Sequence, residues 1–201
     1  FYIPLRVGLL DKEGNELDLI LEPNDEPLSV KDRILLITES SQEFVFKNID
    51  QEPIPSLLRG FSAPVRMEYL YSRDELYFLM VHDSDGFNRW NAAQLLSVDI
   101  MNELQRSVAF DMPPLLVKAF EGVLANSFEE GIDKAMLAHL LALPTEGILI
   151  EQAVVADVDA IHIVREQIAN QLASTLKDSF LKVYTTNCTD QAYEADAASI
   201  A

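Results

Sequence analysis

From Tyr2 to His82 the apolar positions come in short runs broken by polar turns, and from Phe87 onward they recur every three or four residues. The first pattern predicts strands. "YIPLRVGLL" and "LDLIL" flank "DKEGNE" (Asp11–Glu16), where Asp, Gly and Asn suit a turn with positive φ, so a hairpin is predicted. "RILLIT" (Arg33–Thr38) and "QEFVFKNI" (Gln42–Ile49) follow, and within the latter Phe44, Phe46 and Asn48 alternate with Glu43, Val45 and Lys47. That two-residue period belongs to a sheet with one buried face. "VRMEYLY" (Val65–Tyr71) and "LYFLMVH" (Leu76–His82) read as a further strand pair across "SRDE". Between the pairs, Pro53, Pro55 and Pro64 mark "IDQEPIPSLLRGFSAP" as an extended connection outside the sheet, because proline lacks the amide donor. Six or seven such strands describe a small β-sandwich.

The second pattern predicts helices. Trp90, Ala93, Leu96, Ile100, Leu104 and Val108 share one helical face, with Asn88 as the expected N-cap and Asp83 and Asp85 at the positive end of the helix dipole. Phe87 and Trp90 bracket that start, and the tryptophan is read as an anchor filling the crevice between two domains. A second helix opens at Pro113 or Pro114, where the missing donor does no harm. A third is capped by Asp133 and stopped at Pro144, and "TEGILIEQAVV" is a short fourth. "DVDAIHIVREQIANQLASTLKDSFLKVYTTN" reads as one long fifth helix, with Ile161, Ile168, Leu172, Leu176, Phe180 and Val183 on its stripe. "DQAYEADAASIA" reads as the start of another. The expected architecture is therefore two domains. An all-β Ig-like sandwich over 1–86 precedes the N-terminal part of an all-α, HEAT- or armadillo-like array over 87–201, truncated mid-pattern. An opening at Phe1, in a strand already under way, gives the same expectation of a piece cut from a longer chain.

Composition narrows the function classes. Of 201 residues, 49% are hydrophobic, as in a packed globular protein. The formal charge of −18 is spread along both halves without an offsetting cluster of Lys and Arg, so nucleic acid and anionic membranes are poor partners. The single cysteine, Cys188, has no partner for an internal disulfide. No apolar run approaches the ~18 residues of a membrane span. A cytoplasmic location is the expectation.

No constellation for chemistry emerges. His82 precedes Asp-Ser-Asp at an element's end, His139 lies in the apolar run "AMLAHLLAL", and His162 and Glu166 share a helical face without a third ligand. None forms the His-Glu-x-x-His of a catalytic zinc site. There is no G-x-S-x-G elbow and no glycine-rich phosphate loop. "DSDG" at 83–86 opens like a calcium loop but lacks its later ligands. Residue by residue, the chain reads as non-catalytic, with no cofactor and no metal of its own. A free-standing Ig-like plus helical module that binds a protein partner is the alternative.

"FSAPVRMEY" (Phe61–Tyr69) followed by "LYFLMVHDSDGFNRWNAAQLL" (Leu76–Leu96) resembles the zinc aminopeptidases of the aminopeptidase N type, in their bacterial long form. There a Phe-Ser-Ala-Pro-Val segment precedes Phe-Ser-Arg-Trp-Asp-Ala-Ala-Gln. Here Asn88 and Asn91 stand in place of that Ser and Asp. "PLRVGLLDKEGNEL" and "IPSLLRGFSAP" are similar to the same region, and "VREQIANQLA" (164–173) more loosely so. The resemblance implies a β-sandwich linking a catalytic domain to a helical domain that covers the active site of a metalloprotease. It implies zinc in the full-length hydrolase, whose His-Glu-x-x-His and Gly-x-Met-Glu-Asn motifs do not occur here. No catalytic or metal residue carries over, and the fragment alone is expected to be inactive. Its partner would be the parent's own catalytic domain, with peptide substrates met only by the full-length protein. Phe61, Pro64, Phe87, Arg89 and Trp90 are the expected domain-junction residues.

Overall fold

A computed structural model describes residues 2–22, 30–107, 110–129 and 131–188. Val108 and the expected terminal helix "DQAYEADAASIA" lie outside the described residues. The chain divides into two compact units, Phe1–Asn91 and Ala92–Ala201.

In the first unit, β1 (Ile3–Leu10) is the centre of a three-stranded antiparallel sheet, flanked by β3 (Asp32–Ile37) and β5 (Ile54–Leu57). A second sheet pairs β2 (Ile20–Leu21) with β4 (Phe46–Lys47). Alternation decides which side chains face inward. Val7, Leu9, Leu19 and Leu35 form the core, with Leu5, Leu17, Phe44, Phe46 and Leu57 packed against it. The turn at Asp11–Glu16 forms as expected, with Gly14 at φ 89° and the Asp11 amide donating to the Asn15 carbonyl at 2.9 Å. The hairpin closes only at the Leu10–Glu16 bridge, because β2 leaves to pair with β4. The alternation through Phe44 and Phe46 stops at Asn48, which turns left-handed at φ 58°.

Three expectations fail in this unit. Ile54–Leu57 is a strand, with Pro55 opposite Leu9. An edge strand accepts proline because its outward side needs no amide donor. Val65–Tyr71 is not a strand. Leu76–His82 is helical, in α1 (Arg73–His82). "SRDE" is the start of that helix. Ser72 accepts the Glu75 amide, and the Glu75 carboxylate accepts the Ser72 amide at 2.7 Å, a reciprocal capping box. Leu76, Leu79 and Met80 are buried at helical spacing, and the apolar run hid that period.

Helix α2 (Gly86–Arg106) crosses the division between the units. Its N-cap is Asp85, not Asn88: Asp85 Oδ1 accepts the Asn88 amide at 2.9 Å, and the Asp85 carbonyl accepts the first helical bond from Arg89. In the second unit, α3 (Pro114–Asn126) begins at Pro114, and Asp133 caps α4 (Lys134–Leu140) as expected. Thr145 caps α5 (Glu146–Gln152), and Asp157 caps α6 (Val158–Thr175). The expected fifth helix is two, with α7 (Lys177–Asn187) beginning after a break at Leu176, whose φ is −102° and ψ 18°. Leu176 stays buried, so the apolar stripe runs through the break and conceals it. Helix α3 packs on α4, α6 and α7, and α6 on α5 and α7, around Leu116, Phe120, Ile161 and Ile168.

Candidate functional site: a buried arginine hub

Arg59, only 3% exposed, bonds three side chains drawn from separate parts of the first unit. Backbone conformation delivers it. After β5, Leu58 adopts φ 59°, Gly60 φ 59° and Phe61 φ 51°, left-handed positions on either side of Arg59 in a turn closed by the Phe61 amide donating to the Leu58 carbonyl at 3.0 Å. Bulky residues held left-handed cost roughly 1–2 kcal/mol each, so the turn persists only because its surroundings hold it. Ser62 Oγ accepts the Arg6 amide at 2.9 Å, beside β1 where pairing to β5 has ended.

The guanidinium lies against the β1 backbone at Gly8. A Cβ placed there would stand 2.2 Å from Arg59 Cζ, so only glycine leaves the space. Arg59 Nε donates to Ser56 Oγ at 2.8 Å, Nη1 to Glu16 Oε1 at 2.7 Å and Nη2 to Asp83 Oδ1 at 3.1 Å. Each partner is itself fixed. Ser56 Oγ also accepts Asn88 Nδ2 at 2.8 Å, and Glu16 Oε1 accepts the Ser84 hydroxyl. Asp83 Oδ1 accepts the Asp85 amide at 3.0 Å, and Asp85 Oδ2 accepts the Gly60 amide at 2.9 Å. One arginine thus joins the turn after β1, strand β5, the end of α1 and the start of α2.

The electrostatics fit a clamp. Burial works against the Glu16 carboxylate, but hydrogen bonds from Ser84 and Arg59 and the arginine's charge outweigh it, and its pKa is lowered. Asp83 is buried more deeply, and burial prevails there. Its pKa is raised despite the Ser56 hydrogen bond, the Asp85 amide and the charge of Arg59. The Ser84 hydroxyl pairs with the Glu16 carboxylate, which also accepts from Arg59, and all three kinds of guanidinium nitrogen are engaged within the fold. The hub holds elements of the first unit together.

The expected junction residues are distributed around this hub. Phe61, 51% exposed, stacks at 5.3 Å on Phe87, whose ring is 6.1 Å from half-buried Trp90. Arg89 turns instead toward α1, its Nε donating to the Met80 carbonyl at 3.0 Å, and Pro64 is exposed. Sequence reasoning missed Arg59, Glu16, Ser56 and Gly8, and read Asp83 as a dipole partner and as the opening of a calcium-like loop without its later ligands. The available signal was a lone Arg-Gly inside the apolar stretch "SLLRGF".

The histidines lie elsewhere. His82 packs on Phe78 at 4.9 Å, and burial together with the charge of Arg89 lowers its pKa. His139 is exposed on α4. His162 pairs with Glu146 at 2.8 Å, across helices, and not with Glu166. Its pKa is raised by that hydrogen bond and charge. Among the described residues, no group of three or more His, Cys, Asp or Glu side chains could hold a metal ion. No helix among them is long and apolar enough to cross a membrane.

Comparison with known proteins covers both units. A family model described as a domain of unknown function, DUF3458_C, ARM repeats, matches residues 73–201, and one described as DUF3458, Ig-like fold, matches residues 1–70. The expected order of an Ig-like part followed by an armadillo-like part is borne out. Aminopeptidase N of Escherichia coli is 36% identical over 190 residues, and Aminopeptidase N of Haemophilus influenzae 38% over 191 residues. Each alignment covers 92% of this chain and 21% of the relative. A crystal structure of Legionella pneumophila aminopeptidase A in complex with aspartic acid superposes with a TM-score of 0.74 at 32% identity, covering 96% of this chain and 21% of that one. The chain thus spans about a fifth of the length of these relatives.

Proposed function

From the premise that this chain belongs to the family described as DUF3458_C, ARM repeats, we propose that it is a non-catalytic portion of a zinc aminopeptidase. In that enzyme it links the catalytic domain to the helical domain over the active site. The observation that carries this reading is the 36–38% identity to two aminopeptidases across 92% of the chain, which is only 21% of their length. The parent hydrolase removes N-terminal residues from peptides in the cytoplasm. Its zinc, when bound, activates the attacking water. The residues described here do not fit such a metal, since they offer no cluster of three ligands, and they take no step in the hydrolysis.

What the segment contributes is rigidity. The Arg59 hub holds α1 and the first turns of α2 to the sheet, and Phe61, Pro64, Phe87, Arg89 and Trp90 serve as junction residues beside it. The test is an assay of the full reading frame and of the 201-residue chain on amino-acid anilides, with and without zinc. The expected result is metal-dependent turnover by the parent and none by the segment. Turnover by the segment, or an inactive parent, would overturn the reading.

A further inference from the structure

Residues 65–72 carry the chain from the left-handed turn to α1 and belong to no helix or strand. Their backbone bonds are local, with the Val65 amide donating to the Ala63 carbonyl at 2.8 Å and the Tyr71 amide to the Tyr69 carbonyl at 3.2 Å. Arg66 and Glu68 pair with each other at 3.5 Å, their side chains 89% and 81% exposed, so that pair stays within the segment. Leu70 is 99% exposed. Irregular, solvated chain of this kind is where proteases nick folded proteins, because their clefts take an extended backbone and their pockets one projecting side chain. Other exposed large apolar residues are held differently. Leu181 and Tyr184 lie within α7, and Phe61 and Phe128 in hydrogen-bonded turns, so each must open locally before it fits such a cleft. Val154 and Val155, in the connection after α5, are as exposed as Leu70 but small for a pocket that takes leucine or an aromatic ring.

What a cut here leaves behind is set by the hub. The bonds from Arg59 to Asp83 at 3.1 Å, from Asn88 to Ser56 at 2.8 Å and from the Gly60 amide to Asp85 at 2.9 Å all run from the sheet side of Leu70 to the α1 side. The Tyr71 hydroxyl donates to the Pro55 carbonyl of β5 at 2.7 Å, across the same gap. Gly14 packs so closely on His82 that a Cβ at position 14 would stand 3.1 Å from the His82 Cβ. All these residues lie in the first unit, Phe1–Asn91, although the two family models part between residues 70 and 73. Contacts through space therefore hold α1 and the start of α2 to the sheet, and the covalent link at Leu70 is the one connection among them that water surrounds.

We propose that the peptide bonds flanking Leu70 are a processing site for an endopeptidase that takes a large apolar residue, and that the cut chain stays assembled, its two pieces joined by the Arg59 hub. Each cut adds one water across one amide. It leaves a carboxylate on the residue before the bond and an amine on the residue after it, and draws on no group of this chain. The site is the same whether or not the full-length protein is a peptidase.

The test is a brief digestion with chymotrypsin of both the full reading frame and the 201-residue chain, with the fragments identified by mass spectrometry. In both, the first cut among the described residues is expected beside Leu70. The nicked 201-residue chain, passed over a size-exclusion column, is expected to elute at the volume of the uncut chain and to separate into two pieces only in denaturant. Leu70→Asp is expected to slow this cut by on the order of tenfold or more, since the protease pocket loses its apolar group. The same variant should leave the urea midpoint read by Trp90 unchanged, because the side chain it replaces lies in water. A first cut elsewhere among the described residues, or protection of these bonds in the full-length protein, would overturn the site. Cleavage of the Leu70→Asp chain at the wild-type rate would do the same. Pieces that part on the column without denaturant would overturn the claim that the hub holds them.

Discussion

Replacing Gly8 by alanine adds one methyl group to a strand, yet it tests the whole hub. Gly8 does not lie in the left-handed region, so its backbone admits alanine without strain of its own. The difficulty is space. The new Cβ would fall 2.2 Å from Arg59 Cζ and 2.5 Å from both Nε and Nη2, where it meets the rigid plane of the guanidinium. Relief requires the group to slide by about 1 Å or more, which stretches the contacts at 2.8 Å to Ser56, 2.7 Å to Glu16 and 3.1 Å to Asp83 beyond hydrogen-bonding range. Asp83, fully buried, then loses its charge partner, and breaking a buried pair in this way costs about 3–5 kcal/mol. Urea unfolding is followed by the fluorescence of Trp90, the only tryptophan, which lies in the first unit. Arg59→Met should cost a similar amount alone, and Gly8→Ala should add little in its presence, since methionine is flexible and carries no plane to displace. A Gly8→Ala protein within about 0.5 kcal/mol of wild type would refute the reasoning, as would full additivity of the two substitutions.

Further outcomes follow from the caps and the histidines. Asp85→Ala removes both the α2 cap and the acceptor of the Gly60 amide, and should destabilise the first unit by about 1–3 kcal/mol in the same urea assay, more than an ordinary cap. Ser72→Ala, which breaks the capping box of α1, should cost about 1 kcal/mol, whereas a β-strand there would be indifferent to the change. In an NMR titration His162 should have its midpoint above 6.5 and His82 below it, and Glu146→Gln should return His162 toward 6.5. The sign for His162 is that of a raised folded pKa. Its contribution to stability is fully present below the unfolded value and is lost as pH rises through the folded one.

Much of the helical half was legible along the chain. Pro114, Asp133 and the apolar rows of α2, α3 and α6 act on their own turns, and local chemistry of that kind is written in neighbouring residues. The same locality misled at α1, where "LYFLMVH" is so uniformly apolar that either period fits. The deciding signal was the pair Ser72 and Glu75, three apart. It misled again at Leu176, where a break between two helices leaves the stripe intact.

The order of residues by itself showed that β structure yields to helices, though it placed the change at Phe87 whereas α1 begins at Arg73. It also showed which faces are apolar and where the turn at Asp11–Glu16 and the starts of α3, α4, α5 and α6 fall. These depend on contacts a few positions apart. Only the tertiary structure decided that Gly8, Glu16, Ser56, Arg59 and Asp83 form one cluster, since they are drawn from 75 positions of chain (Asp83 minus Gly8) and meet through strand register and a left-handed turn. Burial then changes their chemistry. A guanidinium that water would solvate anywhere along an extended chain has, inside the fold, only these acceptors, so its bonding is fixed by the packing and cannot be read from its neighbours in sequence.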